Sequence, residues 1–298
     1  MKTNVLLLGK GYIGSHLFNH LENKETKHGT TISCTILNKK ELDYTKFDTL
    51  NAFLKNNNYK LVINCSGFTG TPNIDQCEIE KYDTYYYNTV VPVTMASCCK
   101  LYSIDFAHIS SGCIYNGYEK SWTEKDKPNF GIDCFNSSFY SKTKHMAEVH
   151  LADLNADIFR IRMPFSSDDS NRNYLTKIRR YNRLMSVLNS KTCVGDFCNF
   201  IYNFYFVINH SANQSSSRIY NVVNPNPLST TEIVSVLRDY KLDNPNWVYT
   251  LESNLRLAAK RSNCTLSTEK IESMGLGLPS EKESLINICD AISIWTQL

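Results

Sequence analysis

The chain has 298 residues, a formal net charge of +3 and 11 cysteines. That length buries a sizeable core and holds one large or two modest domains. The weak charge, with no basic run longer than Lys39-Lys40 or Arg179-Arg180, argues against nucleic acid, and no apolar run approaches the ~18 residues that span a bilayer.

Residues 4–8 read as a buried first strand, too short and too sparsely basic for a signal peptide. A glycine turn follows, then a helix over about 12–23. Residues 31–37 are rich in β-branched side chains and read as a second strand. A polar helix near 47–55 leads to a third strand at 60–65. A long helix is expected over about 79–101, a strand at 104–110, a helix at 138–154 and a strand at 157–163. Strands alternating with helices imply right-handed βαβ units, so residues 1–164 should form an α/β, Rossmann-type doubly wound parallel sheet. The alternation then breaks down. Residues 218–224 suggest one strand that returns to the sheet. Ser229 with Glu232 and Ser280 with Glu283 are capping boxes, the first opening a helix to Tyr240 and the second the last helix. Residues 165–298 should therefore be mostly a smaller, mixed substrate-binding lobe over the carboxyl edge of the sheet, where ligands bind. The cysteines are scattered, with no C-x-x-C pair and no zinc-like Cys/His spacing. They read as reduced thiols of a cytoplasmic protein, and no metal site is expected.

Gly9-Lys10-Gly11-Tyr12-Ile13-Gly14 fits G-x-G-x-x-G directly after a strand and before a helix. The first glycine permits the tight turn, the second lets the backbone approach a pyrophosphate, and the third allows close helix–strand packing. The phosphates would sit on the helix N-terminus. Asn38 and Lys39 close the second strand where an acidic residue would hold the ribose 2′-hydroxyl of NAD. With no carboxylate before Glu41, NADPH is the expected cofactor and NADH the alternative. Tyr140 and Lys144 lie four apart and share one helical face. A lysine ammonium there can lower the phenol's pKa and hold the nicotinamide ribose, and the phenol can pass a proton to a carbonyl oxygen as hydride reaches its carbon.

With these residues the chain resembles an extended short-chain dehydrogenase/reductase. More narrowly, it is similar to the bifunctional UDP-4-keto-6-deoxyglucose 3,5-epimerase/4-reductases that complete UDP-L-rhamnose synthesis. The specific segments are residues 67–78, Ser111-Gly112-Cys113-Ile114, residues 138–144, Arg160-Ile161-Arg162-Met163-Pro164, Tyr174-Leu175-Thr176-Lys177-Ile178 and Lys260-Arg261-Ser262-Asn263. The resemblance implies that Tyr140 donates the proton to oxygen 4, with Lys144 as its partner and Ser111 as the hydroxyl on the substrate carbonyl. It implies Cys113 and Lys177 as the acid–base pair that inverts carbons 3 and 5, whose hydrogens a ketone at carbon 4 acidifies. It places Ser66 and Gly67 beside the cofactor, and Thr69, Asn88, Asn171 and Arg261 on the substrate side. Of these, Asn88 matches an asparagine that supports the active-site backbone, and Arg261 faces a nucleotide diphosphate. Ser170-Asn171-Arg172-Asn173 lacks the proline that the family carries between Asn and Arg. A nucleotide-sugar substrate, a separate upstream 4,6-dehydratase and a homodimer through the helices near 80–101 and 138–154 complete the expectation. Two other readings remain: a 4-keto reductase alone, resembling dTDP-4-dehydrorhamnose reductase, and a non-catalytic sensor of NADPH.

Overall fold

A computed structural model describes residues 2–208 and 218–296. In chain order it runs β1 (Lys2–Leu8), α1 (Tyr12–Leu21), β2 (Thr31–Leu37), α2 (Phe47–Lys55), β3 (Leu61–Asn64), α3 (Gln76–Ile79), α4 (Lys81–Tyr85), α5 (Val91–Leu101), β4 (Asp105–Ser111), β5 (Gly117–Trp122), α6 (Phe139–Leu151) and β6 (Ala156–Ile161). It continues through α7 (Tyr174–Arg180), β7 (Arg183–Met185), α8 (Val194–Tyr202), β8 (Ile219–Asn221), α9 (Thr230–Asp239), β9 (Val248–Thr250), β10 (Cys264–Leu266), α10 (Glu269–Ser273) and α11 (Glu281–Thr296).

Six strands form one sheet in the order β2-β1-β3-β4-β6-β8, with every neighbouring pair parallel. The expected doubly wound, Rossmann-like α/β sheet is therefore present, and the strand at 218–224 is β8 at its edge. The chain leaves β1 first toward β2 and then crosses back to β3 on the other side. This reversal opens a crevice at the carboxyl ends of β1 and β3, the place where such sheets bind ligands.

Successive strand side chains point to opposite faces, and here both faces are apolar. Val5 and Leu7 enter a cluster with Leu17 of α1, Phe159, and Phe197, Phe200 and Ile201 of α8. Leu6 and Leu8 enter the opposite cluster with Leu50 of α2, Met95 of α5 and Ala147 and Leu151 of α6. Burial on both faces is why β1 reads as an unbroken apolar run. A third cluster joins Leu175 and Ile178 of α7, Ile233 and Leu237 of α9, and Leu285 of α11. Beside the main sheet, β5 pairs with β10 and β7 with β9.

The capping box of Ser229 and Glu232 is formed. At α11 the backbone N–H of Ser280 donates to Glu283 and that of Glu283 to the Ser280 hydroxyl, the same reciprocal arrangement. The helix expected over 79–101 is instead broken into α3, α4, a wide π-type turn at Tyr86–Val90 and α5. Pro92 lies in the first turn of α5. It has no N–H to donate to the preceding turn, so the backbone widens there before α5 continues. Helix α8 was not anticipated, although Val194, Phe197, Cys198 and Ile201 form a buried stripe at helical spacing. No helix among the described residues is long and apolar enough to cross a membrane.

Candidate active site

The glycine turn closes the carboxyl end of β1. Gly9 has φ +116°, and a Cβ there would lie 2.8 Å from the Ser66 backbone nitrogen. A Cβ on Gly14 would meet the Gly9 carbonyl oxygen at 2.0 Å. Both positions thus exclude side chains on the protein's own account. Gly11 differs: nothing lies within 4 Å of its virtual Cβ. It is the N-cap of α1 and supplies no side chain to cap it, so the first N–H groups of that helix stay available to an anionic ligand. This donor set fits a dinucleotide pyrophosphate. The side chains of Tyr12 and Ile13 turn elsewhere. The Tyr12 hydroxyl bonds Ser166 Oγ at 2.7 Å and Ile13 packs on the core, leaving only their backbone for a ligand.

At the end of β2, Asn38 Oδ1 accepts from the backbone N–H groups of Lys40 and Glu41 at 2.8 and 3.2 Å. This turn commits the Asn38 side chain to the backbone. Glu41 reaches back to the Asn38 N–H at 2.8 Å and pairs with Lys10 at 2.5 Å. A carboxylate is therefore present at the strand end, supplied from three residues downstream and already matched by a lysine. Lys39 Nζ donates to Tyr87 Oη at 2.6 Å.

At the end of β3, Asn64 Oδ1 accepts from the backbone and hydroxyl of Ser66 at 2.9 and 2.6 Å. A Cβ on Gly67 would lie 3.1 Å from Asn88 Oδ1 and 3.6 Å from Lys144 Nζ. Gly67 is thus the point where the cofactor crevice meets α6. Asn88 is fully buried. Its amide accepts from Phe68 N and donates to Phe68 O, each at 2.8 Å, and donates to Thr143 Oγ1 at 3.3 Å. It clamps the backbone beside the site, and its placement among substrate contacts is corrected, because none of its surface is open to a ligand.

Helix α6 begins with Ser138, whose hydroxyl accepts from Ser141 N at 3.1 Å. Ser141 Oγ in turn donates to the Cys113 carbonyl at 2.6 Å, and Glu78 accepts from Phe139 N at 2.7 Å. These contacts set the first turn of α6 against the segment after β4. Tyr140 is 8% exposed and Lys144 4%. The Tyr140 hydroxyl is hydrogen-bonded to Ser111, the last residue of β4. Burial raises the phenol's pKa, and the neighbouring Cys113 adds to the rise; the Ser111 bond and, more weakly, Arg172 oppose it. Lys144 Nζ donates to the Ile109 carbonyl at 3.3 Å. Burial brings its pKa down to about 8, against the pull of Glu148 and Cys113. Glu148, one turn further along α6, is itself forked by Arg160, with the Nη2 contact at 2.6 Å. Ser111, Tyr140 and Lys144 are thus brought together beside the glycine turn.

Cys113 is half-buried, and its backbone N–H donates to Ser111 Oγ at 3.2 Å. Lys177 sits on α7, positioned by Asn173, the N-cap that accepts from Leu175 N at 3.0 Å. Burial lowers the pKa of Lys177, and the charge of Arg172 lowers it further. Arg172 was not singled out from the sequence. Its Nη1 bonds Thr69 Oγ1 at 2.5 Å and the Gly70 carbonyl at 3.0 Å, and its charge reaches both Tyr140 and Lys177. Only the geometry of the 66–70 segment reveals it.

A cleft of about 520 Å³ is lined by Asn116, Tyr118, Phe130, Asn136, Lys260 and Arg261 among others, and by none of Ser111, Cys113, Tyr140, Lys144 or Lys177. Two expected substrate contacts are differently engaged. Arg261 lines the cleft, yet Nη1 and Nη2 are held by Asp75 at 2.9 and 3.2 Å. A diphosphate would have to displace that carboxylate. Asn171 is exposed and bonded to the Arg180 side chain, which directs its amide along α7.

The sheet order, the switch-point crevice and the buried Ser–Tyr–Lys cluster define an α/β protein of the Rossmann-like class. The chain matches the family described as RmlD substrate binding domain over residues 2–293, and it belongs to that family. It is 35% identical over 236 residues to the bifunctional dTDP-4-dehydrorhamnose 3,5-epimerase/dTDP-4-dehydrorhamnose reductase of Arabidopsis thaliana, covering 76% of this chain and 74% of that one. The trifunctional UDP-glucose 4,6-dehydratase/3,5-epimerase/reductase RHM1 of the same plant is longer; at 35% identity, the match covers 76% of this chain and 34% of RHM1. Among solved structures, the L780 UDP-rhamnose synthase of Acanthamoeba polyphaga mimivirus superposes with a TM-score of 0.82 at 25% identity, covering 97% and 99% of the two chains. The dTDP-4-dehydrorhamnose reductase of Bacillus anthracis, solved with NADP, gives 0.79 at 20% identity over 97% and 99%.

Proposed function

We propose that the protein is an NADPH-dependent reductase of a nucleotide-linked 4-keto sugar that also inverts carbons 3 and 5. It would turn UDP-4-keto-6-deoxy-D-glucose into UDP-L-rhamnose. The observation that carries the reading is the buried Ser111–Tyr140–Lys144 cluster, packed through Gly67 against the crevice that the glycine turn opens. Lys39 and Lys40 after β2, where the Glu41 carboxylate is already paired with Lys10, support NADPH over NADH.

In inversion, Cys113 and Lys177 would exchange protons with carbons 3 and 5. A base takes a proton from one face, the enediolate spreads its charge onto oxygen 4, and an acid returns a proton to the other face. The Ser111 hydroxyl and the Tyr140 phenol then bind oxygen 4. NADPH, when bound, supplies the hydride that reduces carbon 4. Tyr140 gives its proton to oxygen 4, and the Lys144 ammonium stabilises the phenolate left behind. A separate 4,6-dehydratase would supply the keto-sugar. Exposed Ile79, Tyr82, Leu101 and Val149 near α3–α6 suit a homodimer.

Incubation with UDP-4-keto-6-deoxyglucose in deuterated water without NADPH tests the reading. Deuterium should enter carbons 3 and 5, and adding NADPH should yield UDP-L-rhamnose. No exchange, with reduction intact, leaves a 4-keto reductase alone. One observation favours that second reading: Arg172, not Cys113, is the charged neighbour that Lys177 feels.

A further inference from the structure

Two arginines lie two residues apart at the carboxyl end of β6 and are treated differently. Arg160 is 2% exposed and its guanidinium meets the Glu148 carboxylate at 2.6 Å. Arg162 is buried more deeply, at 1%, and among the described residues no carboxylate pairs with it. Its partners are neutral. Nη1 donates to the Gly112 carbonyl at 3.0 Å and to Ser262 Oγ at 2.8 Å. Nη2 donates to Asn189 Oδ1 at 2.5 Å and to the Ser262 carbonyl at 3.1 Å. Its Nε has no partner among the described residues.

A buried guanidinium without a counter-charge is costly. The groups that share its field are Cys264, Cys113, Tyr118 and Tyr140, all able to become anions. The nearby ammonium of Lys191 is already matched by Glu281 at 2.8 Å. The arginine also lies against the segment that carries Cys113: a Cβ on Gly112 would come within 3.0 Å of both Arg162 Cγ and Cδ.

We propose that Arg162 is a positioning residue for the inversion chemistry, a buried cation left without a carboxylate so that its charge is matched by the negative charge forming at Cys113. When the thiol gives its proton to a sugar carbon, the sulfur becomes a thiolate. When the thiolate takes a proton from carbon, the charge passes to the sugar enediolate. Either anion is stabilised by the guanidinium anchored on the Gly112 carbonyl. This rests on the reading of Cys113 as an acid–base group.

The test is the rate at which iodoacetamide labels Cys113, read by mass spectrometry against half-buried Cys134 as internal reference. Arg162→Met removes the charge. Arg162→Lys keeps it with poorer geometry. Asn189→Asp keeps every Arg162 hydrogen bond and places a carboxylate on the guanidinium, so it neutralises the charge without truncating the residue. At pH 7, Arg162→Met and Asn189→Asp should each slow labelling of Cys113 about tenfold, while Arg162→Lys stays within about threefold of wild type. Should Arg162→Met fail to fold, by thermal melting and NADPH binding, Asn189→Asp decides. Two results overturn the proposal: unchanged Cys113 labelling in folded Asn189→Asp, or Arg162→Lys as slow as Arg162→Met, which would mean shape rather than charge. Absence of deuterium exchange in the wild-type enzyme sinks the inversion reading and with it the role of Arg162 in that chemistry, while the labelling rates, which need no substrate, still report whether the charge of Arg162 reaches Cys113.

Discussion

Lys144 should destabilise the fold it serves. It is 4% exposed, and its one hydrogen bond among the described residues, to the Ile109 carbonyl, is long at 3.3 Å. Burial lowers its pKa from the ordinary 10.5 to about 8. At ~1.4 kcal/mol for each tenfold change in proton affinity, this fall corresponds to about 3 kcal/mol against folding wherever the lysine is charged in both states. Lys144→Met keeps most of the aliphatic stem and removes the ammonium. The lost hydrogen bond gives back about 1 kcal/mol, so the variant should be more stable than wild type by ~1–2 kcal/mol at pH 7. The folded pKa lies below the unfolded one, so the penalty is fully present below about pH 8. It fades as pH rises through that value and is gone above about 10.5. Urea unfolding followed by tryptophan fluorescence at pH 7, 9 and 10.5 should therefore show the advantage shrinking with pH. NADPH oxidation with a keto-sugar should fall by about 10²–10⁴ in the same variant. A Lys144→Met protein less stable than wild type at pH 7, or a stability gap that ignores pH, would refute the reasoning.

The glycine turn offers a paired test. Gly14→Ala puts a Cβ 2.0 Å from a backbone carbonyl and should destabilise by more than ~2 kcal/mol in chemical denaturation, whereas Gly11→Ala, with nothing within 4 Å, should fold normally yet bind NADPH weakly in fluorescence titration. Tyr140→Phe should lower keto-sugar reduction by about 10²–10⁴ while deuterium entry at carbons 3 and 5 persists, because the phenol donates only in the second step. Glu148→Gln leaves Arg160 without its carboxylate and should lose ~3–5 kcal/mol of stability in thermal or urea unfolding. It should also move the alkaline limb of the reductase pH profile to lower pH, since Glu148 supports the charged form of Lys144.

Most of the sheet was legible because β1 and β3 are buried on both faces and read as plain apolar runs. The glycine turn and Tyr140–Lys144 were legible for a related reason: both are local patterns whose spacing encodes a turn or a helical face. What escaped depends on long-range contacts. Arg172 and Thr69 meet across 103 positions of chain, and nothing in either local sequence announces the other. Arg261 reads as a phosphate ligand until Asp75, 186 positions away, is placed against it. Strands β5 and β10 are short and gain their identity only from each other. Helix α8 carries a buried stripe of Val194, Phe197, Cys198 and Ile201, but its place under the sheet becomes clear only once Phe159 and Tyr220 are seen packed on its continuation at Phe204.

The two halves of the proposed chemistry differ in how they are held. Every group assigned to reduction stands on the sheet or on α6: Ser111 ends β4, Tyr140 and Lys144 share one helix, and Asn88 ties α6 to the backbone at Phe68. Buried side chains and packed helices fix these groups relative to one another, so their geometry survives small movements elsewhere. The inversion pair is divided. Cys113 follows β4, while Lys177 rides on α7, which packs with α9 and α11 in a separate apolar cluster. The link between that helix and the sheet's carboxyl edge includes Arg172, through its bonds to Thr69 and Gly70. Proton transfer at two carbons needs both groups within hydrogen-bond reach of one sugar ring. Inversion, if present, would thus depend on how α7 is held against the sheet's carboxyl edge, whereas reduction would draw its groups from the sheet and α6.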